Sequence, residues 1–368
     1  MKIAIDARMY GTENGGIGRY IVNLIKEFQR IDDKNNYVLL LRKKYFSLLN
    51  TKDNWEKVLI DVRHYSFKEQ FAVTQVLNRL KPDLVHFPHF NIPVFYQGKS
   101  VVTIHDLLMH KRTGAAATTL PLPAYLVKRL GYKFVFEKAV KKAVKVIVPT
   151  NFVKKEVAKK YPSIADKLLV VYEGVDESVF DNPASGGYLR RNRIDKPYFI
   201  YVGSVYPHKN VSRIIEAISH IGGNLVVVTP RNVFQKRLDE YVRSHNAQGL
   251  VKFTGYVNDH DLSALYKNAV AFVYPSLEEG FGLPGLEAMA NKCLVLASDI
   301  PVFREVYKKN ALYFNPMDFS SIEKSMKEAL EVKPVKKAEI TSKAYEFVKT
   351  YSWEETAKQT LKIYENAS

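Results

Sequence analysis

Short aliphatic and β-branched runs alternate with longer amphipathic stretches along nearly the whole chain, and this alternation constrains the fold more than any other feature. In the first half the runs are KIAID (2–6), YVLLL (37–41), LVHF (84–87), VVTI (101–104), VIV (146–148) and LLVVY (168–172). Many are continuously apolar, the pattern of strands covered on both faces. Strand followed by helix predicts a parallel sheet flanked by helices. The rhythm pauses over DNPASGGYLRRNRIDKP (181–197), rich in Pro, Gly, Ser and charge, which reads as an interdomain linker. It restarts with YFIYVG (198–203), NLVVVT (224–229), LVKF (250–253), AVAFVYP (269–275), CLVLAS (293–298) and ALYF (311–314). A chain of 368 residues also exceeds what one core serves. The expectation is an α/β protein with two doubly wound parallel-sheet domains, residues 1–180 and 181–350, and a cleft between them. In such sheets ligands bind beyond the carboxyl ends of the strands, so the loops that follow strands are the functional ones. Residues 351–368 read as a terminal helix, with Ser352 and Glu355 spaced as a capping box. No internal sequence repeat is evident.

Apolar residues make up 46% and charged residues 25% of the chain, with no low-complexity tract, so order is expected throughout. No apolar run approaches the roughly 18 residues that a membrane span needs, and MKIAIDARMY lacks the apolar core of a secretion signal; a cytoplasmic location is expected. The single cysteine, Cys293, sits in an apolar run and is assigned to core packing. The net charge of +17 is unevenly placed: residues 1–178 hold 30 Lys/Arg against 17 Asp/Glu, while the remainder holds 25 against 21. Nucleic acid, an anionic membrane or an anionic substrate would each fit a basic first half.

Three glycine-containing loops follow strands. After Asp6, Gly15, Gly16 and Gly18 precede an amphipathic helix, where backbone N–H groups can meet a phosphate; the spacing matches neither the dinucleotide fingerprint nor the P-loop. In YVGSVYPHKN, Gly203 ends a strand and Lys209 stands six residues later, placed to neutralise a diphosphate. In EEGFGLPGLEAMA, from residue 278, Glu279 and Glu287 flank Gly280, Phe281, Gly282 and Leu283, with Pro284 suited to the first turn of a helix. Glu287 is expected in that first turn, able to accept hydrogen bonds from two vicinal hydroxyls, and Glu279 before it. Two acceptors separated by donor-rich backbone suit a ligand with hydroxyls at both ends and phosphate between, a nucleotide sugar. His86, His89, His105 and Asp106 also fall near strand ends, His105 and Asp106 being the sharper pair, and no zinc spacing emerges. Asp259, His260 and Asp261 form a D-x-D triplet at a helix start, which is read as acidic capping of the first turn; no metal and no cofactor are expected, the nucleotide sugar being a substrate.

Taken together, GGIGRY, TIHDL, VIVPTNFVKKEV, VVYEGVD, YVGSVYPHKN, FTGYV, SLEEGFGLPGLEAMA, DIPVFREV and YSWEETAKQTL resemble, in order and spacing, the retaining glycosyltransferases of family 4 over nearly the whole chain. The resemblance implies the GT-B fold of two Rossmann-like domains, acceptor side first and nucleotide-sugar side second, with the terminal helix crossing back to the first. It implies that Glu287 holds the donor ribose, that Glu279 and His105 lie by the donor sugar, and that Lys209 binds the diphosphate. Gly16, Gly203, Ser204, His208, Tyr256, Phe281, Gly282 and Leu283 complete the donor site, and His105, Glu279 and Lys209 are its catalytic candidates. Where many relatives carry an arginine, this chain has Ser204 and His208, so His208, Arg19 and Arg231 are the candidates for a second phosphate-binding cation.

The resemblance further implies retention of anomeric configuration by front-face attack, the sequence offering no nucleophile. A general resemblance to bacterial mannosyltransferases of surface-polysaccharide synthesis makes GDP-mannose the first donor expected, with UDP-glucose or UDP-N-acetylglucosamine next. The acceptor is a glycan or a lipid-linked species. AYLVKRLGYKFVFEKAVKKAVK (124–145), with seven Lys/Arg and one Glu, reads as a basic helix able to lie on an anionic membrane. A UDP-sugar epimerase of the same fold is the alternative enzyme. A nucleic-acid partner is not expected, because no recognised module accompanies the charge.

Overall fold

The computed structural model describes residues 1–111, 121–180, 187–229 and 233–367. The chain divides into two compact units: unit 1 comprises Met1–Gly174 with Ser352–Ser368, and unit 2 comprises Val175–Tyr351.

In unit 1 the strands are β1 (Lys2–Asp6), β2 (Asn36–Leu41), β3 (Trp55–Leu59), β4 (Leu84–Phe87), β5 (Ser100–Thr103), β6 (Lys145–Val148) and β7 (Leu168–Val170). They form one parallel sheet in the order β3-β2-β1-β4-β5-β6-β7. The order reverses between β1 and β4, the switch point at which doubly wound sheets bind ligands. Ile3, Ala4, Ile5, Val38, Leu39, Leu40, Val85 and Val102 are fully or almost fully buried, as helices on both faces require. The strand absent from the sequence reading is β3: WEKVL is an edge strand with a mixed burial pattern, and Trp55 anchors it by stacking on Tyr37 at 4.0 Å.

In unit 2 the strands are β8 (Tyr198–Val202), β9 (Asn224–Val228), β10 (Val251–Phe253), β11 (Phe272–Tyr274), β12 (Val295–Ser298) and β13 (Leu312–Phe314). Their order is β10-β9-β8-β11-β12-β13, again parallel, with the switch point between β8 and β11. Cys293 is buried in this core, as expected. The segment read as a linker is instead folded where it is described. Gly187–Arg191 is a short helix, Leu189 and Ile194 are buried, and the Ile194 N–H donates to the Leu189 carbonyl at 2.9 Å.

Local signals explain most helix starts. Thr150 caps Asn151–Lys160 by accepting from the Val153 N–H at 3.1 Å, and Asn258 caps Asp259–Asn268 by accepting from the Asp261 N–H at 2.9 Å. Asp259 and Asp261 therefore occupy a first helical turn, where the helix dipole favours them. The helix Trp353–Glu365 differs from expectation at its cap. Ser352 holds the cap position without a side-chain bond, and the Glu355 carboxylate accepts from Gln359 Nε2 at 2.8 Å instead of closing a capping box. This helix is nevertheless tied into unit 1 by Tyr364 Oη with His86 Nδ1 at 2.6 Å, and by the Thr356 hydroxyl donating to the Tyr172 carbonyl at 2.7 Å. Gly174 runs so close to the backbone of Trp353 that an added Cβ would lie 2.1 Å from its nitrogen.

Candidate active site

Unit 2 gathers most of the expected residues at the carboxyl ends of β8 and β11. Gly203 follows β8 at a φ of 142°, and a Cβ there would stand 3.2 Å from the Tyr201 hydroxyl, which donates to the Ser204 carbonyl at 2.5 Å. Lys209 ends a single 3-10 turn, Pro207–Lys209, just before the helix Val211–Ile221. After β11 comes the glutamate loop, joined to this turn by the Leu277 N–H donating to the His208 carbonyl at 2.8 Å. The two loops meet again through side chains: Lys209 Nζ donates to Glu279 Oε1 at 2.6 Å, the pair being 15% and 8% exposed. A pair so shielded is held by geometry rather than by solvent, and separating it without a substitute for either charge is costly.

Three tyrosines underlie this loop. Burial first, and then the charge of Glu279, push the phenols of Tyr201, Tyr274 and Tyr307 well above the usual tyrosine range, and Tyr274 also hydrogen-bonds Glu279. The Tyr307 hydroxyl donates to the Gly282 carbonyl at 2.6 Å. Gly282 has a φ of 107°, and a Cβ at Gly282 or at Gly285 would come within 2.4 Å of that same hydroxyl. Gly282 is needed for both conformation and space, and Gly285, inside the following helix, for space alone.

Phe281 and Leu283 are buried, Phe281 packing edge-on to Tyr351 at 5.9 Å. Leu283–Ala290 is a helix with Pro284 in its first turn, as the sequence indicates. Glu287 is 6% exposed and lies in the second turn rather than the first, because the helix begins at Leu283. His208 is 8% exposed and its Nδ1 has no partner among the described residues; Ser276 Oγ, just ahead of the glutamate loop, is likewise buried without one. Tyr256, after Gly255, is 71% exposed. Arg231 lies outside the described residues.

Unit 1 holds Gly16 and His105. Gly15, Gly16 and Gly18 are not a loop ahead of the helix but its opening residues, Gly15–Ile31. A 3-10 turn, Thr12–Asn14, precedes it, and Arg19 belongs to the helix. Gly16 is exposed, and a Cβ there would meet nothing within 4 Å, whereas one at Gly18 would collide with the Gly11 carbonyl at 1.9 Å. His105, after β5, uses both ring nitrogens: Nδ1 is 3.1 Å from Glu173 Oε1 and Nε2 is 3.0 Å from the Pro88 carbonyl. Both partners accept, so the geometry suits an imidazolium donating twice. Burial opposes that charge, but the bond and charge of Glu173, with lesser help from Pro88 and Asp106, outweigh it and hold the His105 pKa above its ordinary value. His86 and His89 behave oppositely: burial first, and then the charge of His105, push each down to about 3, leaving neutral rings.

Glu173, Tyr201, Tyr274 and Tyr307 were not found from the sequence. Glu173 lies in the quoted VVYEGVD element, but nothing in that element points to a histidine far away in the chain. Among the described residues no group of three metal-ligating side chains occurs.

Two parallel-sheet Rossmann-like units, each with its loops at the carboxyl ends of a switch point, are the architecture of the GT-B fold. Comparison with known proteins agrees. The family profile of glycosyltransferase family 4 matches residues 14–179, and that of glycosyl transferases group 1 matches residues 190–347. The O-antigen chain mannosyltransferase RfbU of Salmonella typhimurium is 31% identical over 88% of this chain and 89% of its own. O-antigen chain mannosyltransferase B of Escherichia coli is 25% identical over 78% of this chain and 75% of its own. Among solved structures, sucrose-phosphate synthase of Thermosynechococcus elongatus superposes with a TM-score of 0.79 at 17% identity, covering 100% of this chain and 98% of its own. Anabaena HepE in complex with UDP and glucose gives 0.78 at 15% identity, with both chains covered completely. The chain belongs to the family 4 glycosyltransferases.

Proposed function

We propose that this glycosyltransferase moves mannose, with retention, from GDP-mannose to a glycan or lipid-linked acceptor of a surface polysaccharide. The observation that carries the donor reading is the Lys209–Glu279 pair, whose two members would each find a partner on one ligand. The donor diphosphate takes the lysine, and the hydroxyls of the donor sugar take the glutamate. Glu287, at the far end of the glycine-bearing loop, receives the ribose hydroxyls, with Phe281, Gly282 and Leu283 supplying backbone contacts. His208 and Arg19 remain the candidates for a second cation on the phosphates, and His208 brings a buried Nδ1 without a partner among the described residues. The choice of mannose is supported by the two mannosyltransferase relatives.

In the reaction the bond between the anomeric carbon and the diphosphate oxygen breaks, and positive character builds on the sugar while negative charge builds on the leaving group. Lys209 and the N–H donors of the loops stabilise that charge, the term expected to dominate. The acceptor oxygen then bonds the anomeric carbon on the face the diphosphate leaves, passing its proton to the departing phosphate oxygen. Neither glutamate transfers a proton in this scheme.

The acceptor reading includes a membrane surface. The helix Leu122–Lys142 exposes Leu126, Val127, Leu130 and Phe134 (49%, 72%, 67% and 53%) beside exposed Lys128, Lys133 and Lys138. Apolar side chains ringed by cations suit an anionic lipid surface. Among the described residues no helix is long and apolar enough to cross a membrane.

A thermal-shift series with GDP, GDP-mannose, UDP and UDP-glucose tests the donor. GDP-mannose at about 100 times its Kd should add roughly 2.7 kcal/mol of stability, and Glu287→Ala should abolish the shift. A larger shift with UDP-glucose would move the assignment to that donor, and a product with inverted anomeric configuration would refute front-face attack.

A further inference from the structure

The helix Trp353–Glu365 buries hydroxyl groups where a helix that only closed a core would bury aliphatic side chains. Thr356, Thr360 and Tyr364 recur at every fourth residue, so they share one face, and all three are almost completely buried. Burying a hydroxyl costs stability unless it is hydrogen-bonded, and each of these is. Thr360 donates to the Thr356 carbonyl at 2.7 Å and hydrogen-bonds Tyr20. Tyr364 Oη lies 2.6 Å from His86 Nδ1, His86 Nε2 lies 2.8 Å from Thr103 Oγ1, and that hydroxyl is 3.3 Å from Tyr20 Oη. The Tyr20 ring packs crosswise on those of His105 and Trp353, at 4.9 and 5.8 Å. The polar face of the helix therefore leads to one side of His105.

The first turn of the same helix reaches His105 a second way, through Glu173. Thr356 donates to the Tyr172 carbonyl at 2.7 Å, and Gly174 runs against the backbone of Trp353 with no room for a side chain. Glu173 is thus flanked on both sides by residues that one helical turn holds. Its carboxylate, itself buried, lies 3.1 Å from His105 Nδ1. The other titratable groups facing that ring are Asp106, Tyr20 and the neutral rings of His86 and His89, and Asp106 supports the charge on His105 less than Glu173 does. A buried pair depends on its geometry far more than an exposed one.

We infer that Thr356 is a positioning residue of the transfer reaction: by holding the Tyr172 carbonyl it sets Glu173 against His105, which makes the helix Trp353–Glu365 part of the active site as well as a cover for unit 1. Thr356 acts through Glu173 and not on the imidazole itself. A helix that comes late in the chain thereby controls the charge of a histidine near its middle. The inference rests on the reading of His105 as a residue beside the donor sugar. Its first readout, the titration of His105, needs no turnover, so the two fail separately.

The full chain with 13C-labelled histidine is titrated with acid and base, and turnover is read as release of nucleoside diphosphate, with water as acceptor, from whichever donor gives the largest shift in the thermal series above. Thr356→Val keeps the shape of the side chain and removes its hydroxyl. His105 should then titrate at a lower pH than in the natural chain, because its carboxylate partner is no longer held in place. The kcat near pH 7 should fall roughly fivefold, the worth of one hydrogen bond, with KM little changed. Thr356→Ser retains the hydroxyl and should restore both values. Ile363→Ala, which loosens the same helix farther from Glu173, should lower Tm at least as much and leave the His105 titration and kcat in place. In a Glu173→Gln background Thr356→Val should add almost nothing, because residues that act in series are not additive. The inference is overturned if His105 titrates in Thr356→Val as in the natural chain, if Ile363→Ala moves it equally, or if the losses from Thr356→Val and Glu173→Gln multiply. A lowered titration with unchanged kcat would uphold the hold of Thr356 on Glu173 and overturn the part given to His105 in the reaction.

Discussion

At the scale of single residues, His105 shows how a partner far away in sequence sets a functional group's state. Its carboxylate partner, Glu173, raises its pKa, so the charged pair stabilises the fold fully below the ordinary histidine value of about 6.5. That contribution fades as pH rises through the raised value. Glu173→Gln keeps a hydrogen-bond acceptor but removes the charge. Its pH–rate profile should therefore lose activity at a lower pH than the natural enzyme, with the His105 NMR titration moving in the same direction. A Glu173→Gln profile that overlays the natural one would show that the imidazolium has no part in turnover. His105 itself was legible, because a histidine directly after a β-branched strand is uncommon enough to notice. Glu173 was not, because pairing across 68 positions is a product of the sheet order and leaves no local mark.

At the scale of elements, the glutamate loop is legible in composition and hidden in its support. Its glycines, its proline and its two carboxylates announce a ligand loop, but the reason for glycine at 282 is a hydroxyl that arrives from Tyr307, in the helix Pro301–Tyr307. Gly282→Ala must place a methyl against that hydroxyl at a φ of 107°, so we expect a loss of roughly 2 kcal/mol or more in urea unfolding, together with weaker nucleotide binding. Tyr307→Phe should cost about 1 kcal/mol by itself. Joined to Gly282→Ala it should recover part of the loss, a non-additivity that a double-mutant cycle measures. The start of the Gly15–Ile31 helix was misread for a related reason. Glycine predicts a loop by propensity, but the close approach of Gly18 to the Gly11 carbonyl puts glycine inside the first turns. Most strands were legible because both of their faces are buried, whereas β3, half exposed at an edge and carrying charge, gave no apolar run to read.

At the scale of the molecule, the histidines give unit 1 a pH signature. Burial holds His86 and His89 down to about 3 and His110 to about 4, so an unfolded chain takes up protons that the folded unit refuses. Stability should fall as pH drops below about 6.5 and level off only near the folded values. Thermal melts and amide exchange from pH 7 to pH 4 should show unit 1 loosening first. The basic surface of the same unit predicts binding to anionic vesicles that weakens between low and physiological salt. Absence of sedimentation with such vesicles at low salt would rule out the lipid-surface reading. The division of the chain was harder to read than either sheet: a Pro/Gly-rich stretch suggested a linker after residue 180, while the units divide at Gly174 and again at Tyr351. Composition marks turns, and only packing marks a boundary. That second division also governs how the protein is made. The strands of unit 1 precede unit 2 in the chain, yet its helix Trp353–Glu365 supplies Tyr364 to His86 and to the ring of Phe28, and is synthesised after all of unit 2. Unit 1 must therefore wait through the synthesis of unit 2 with part of its interior uncovered, and it closes only when that helix arrives.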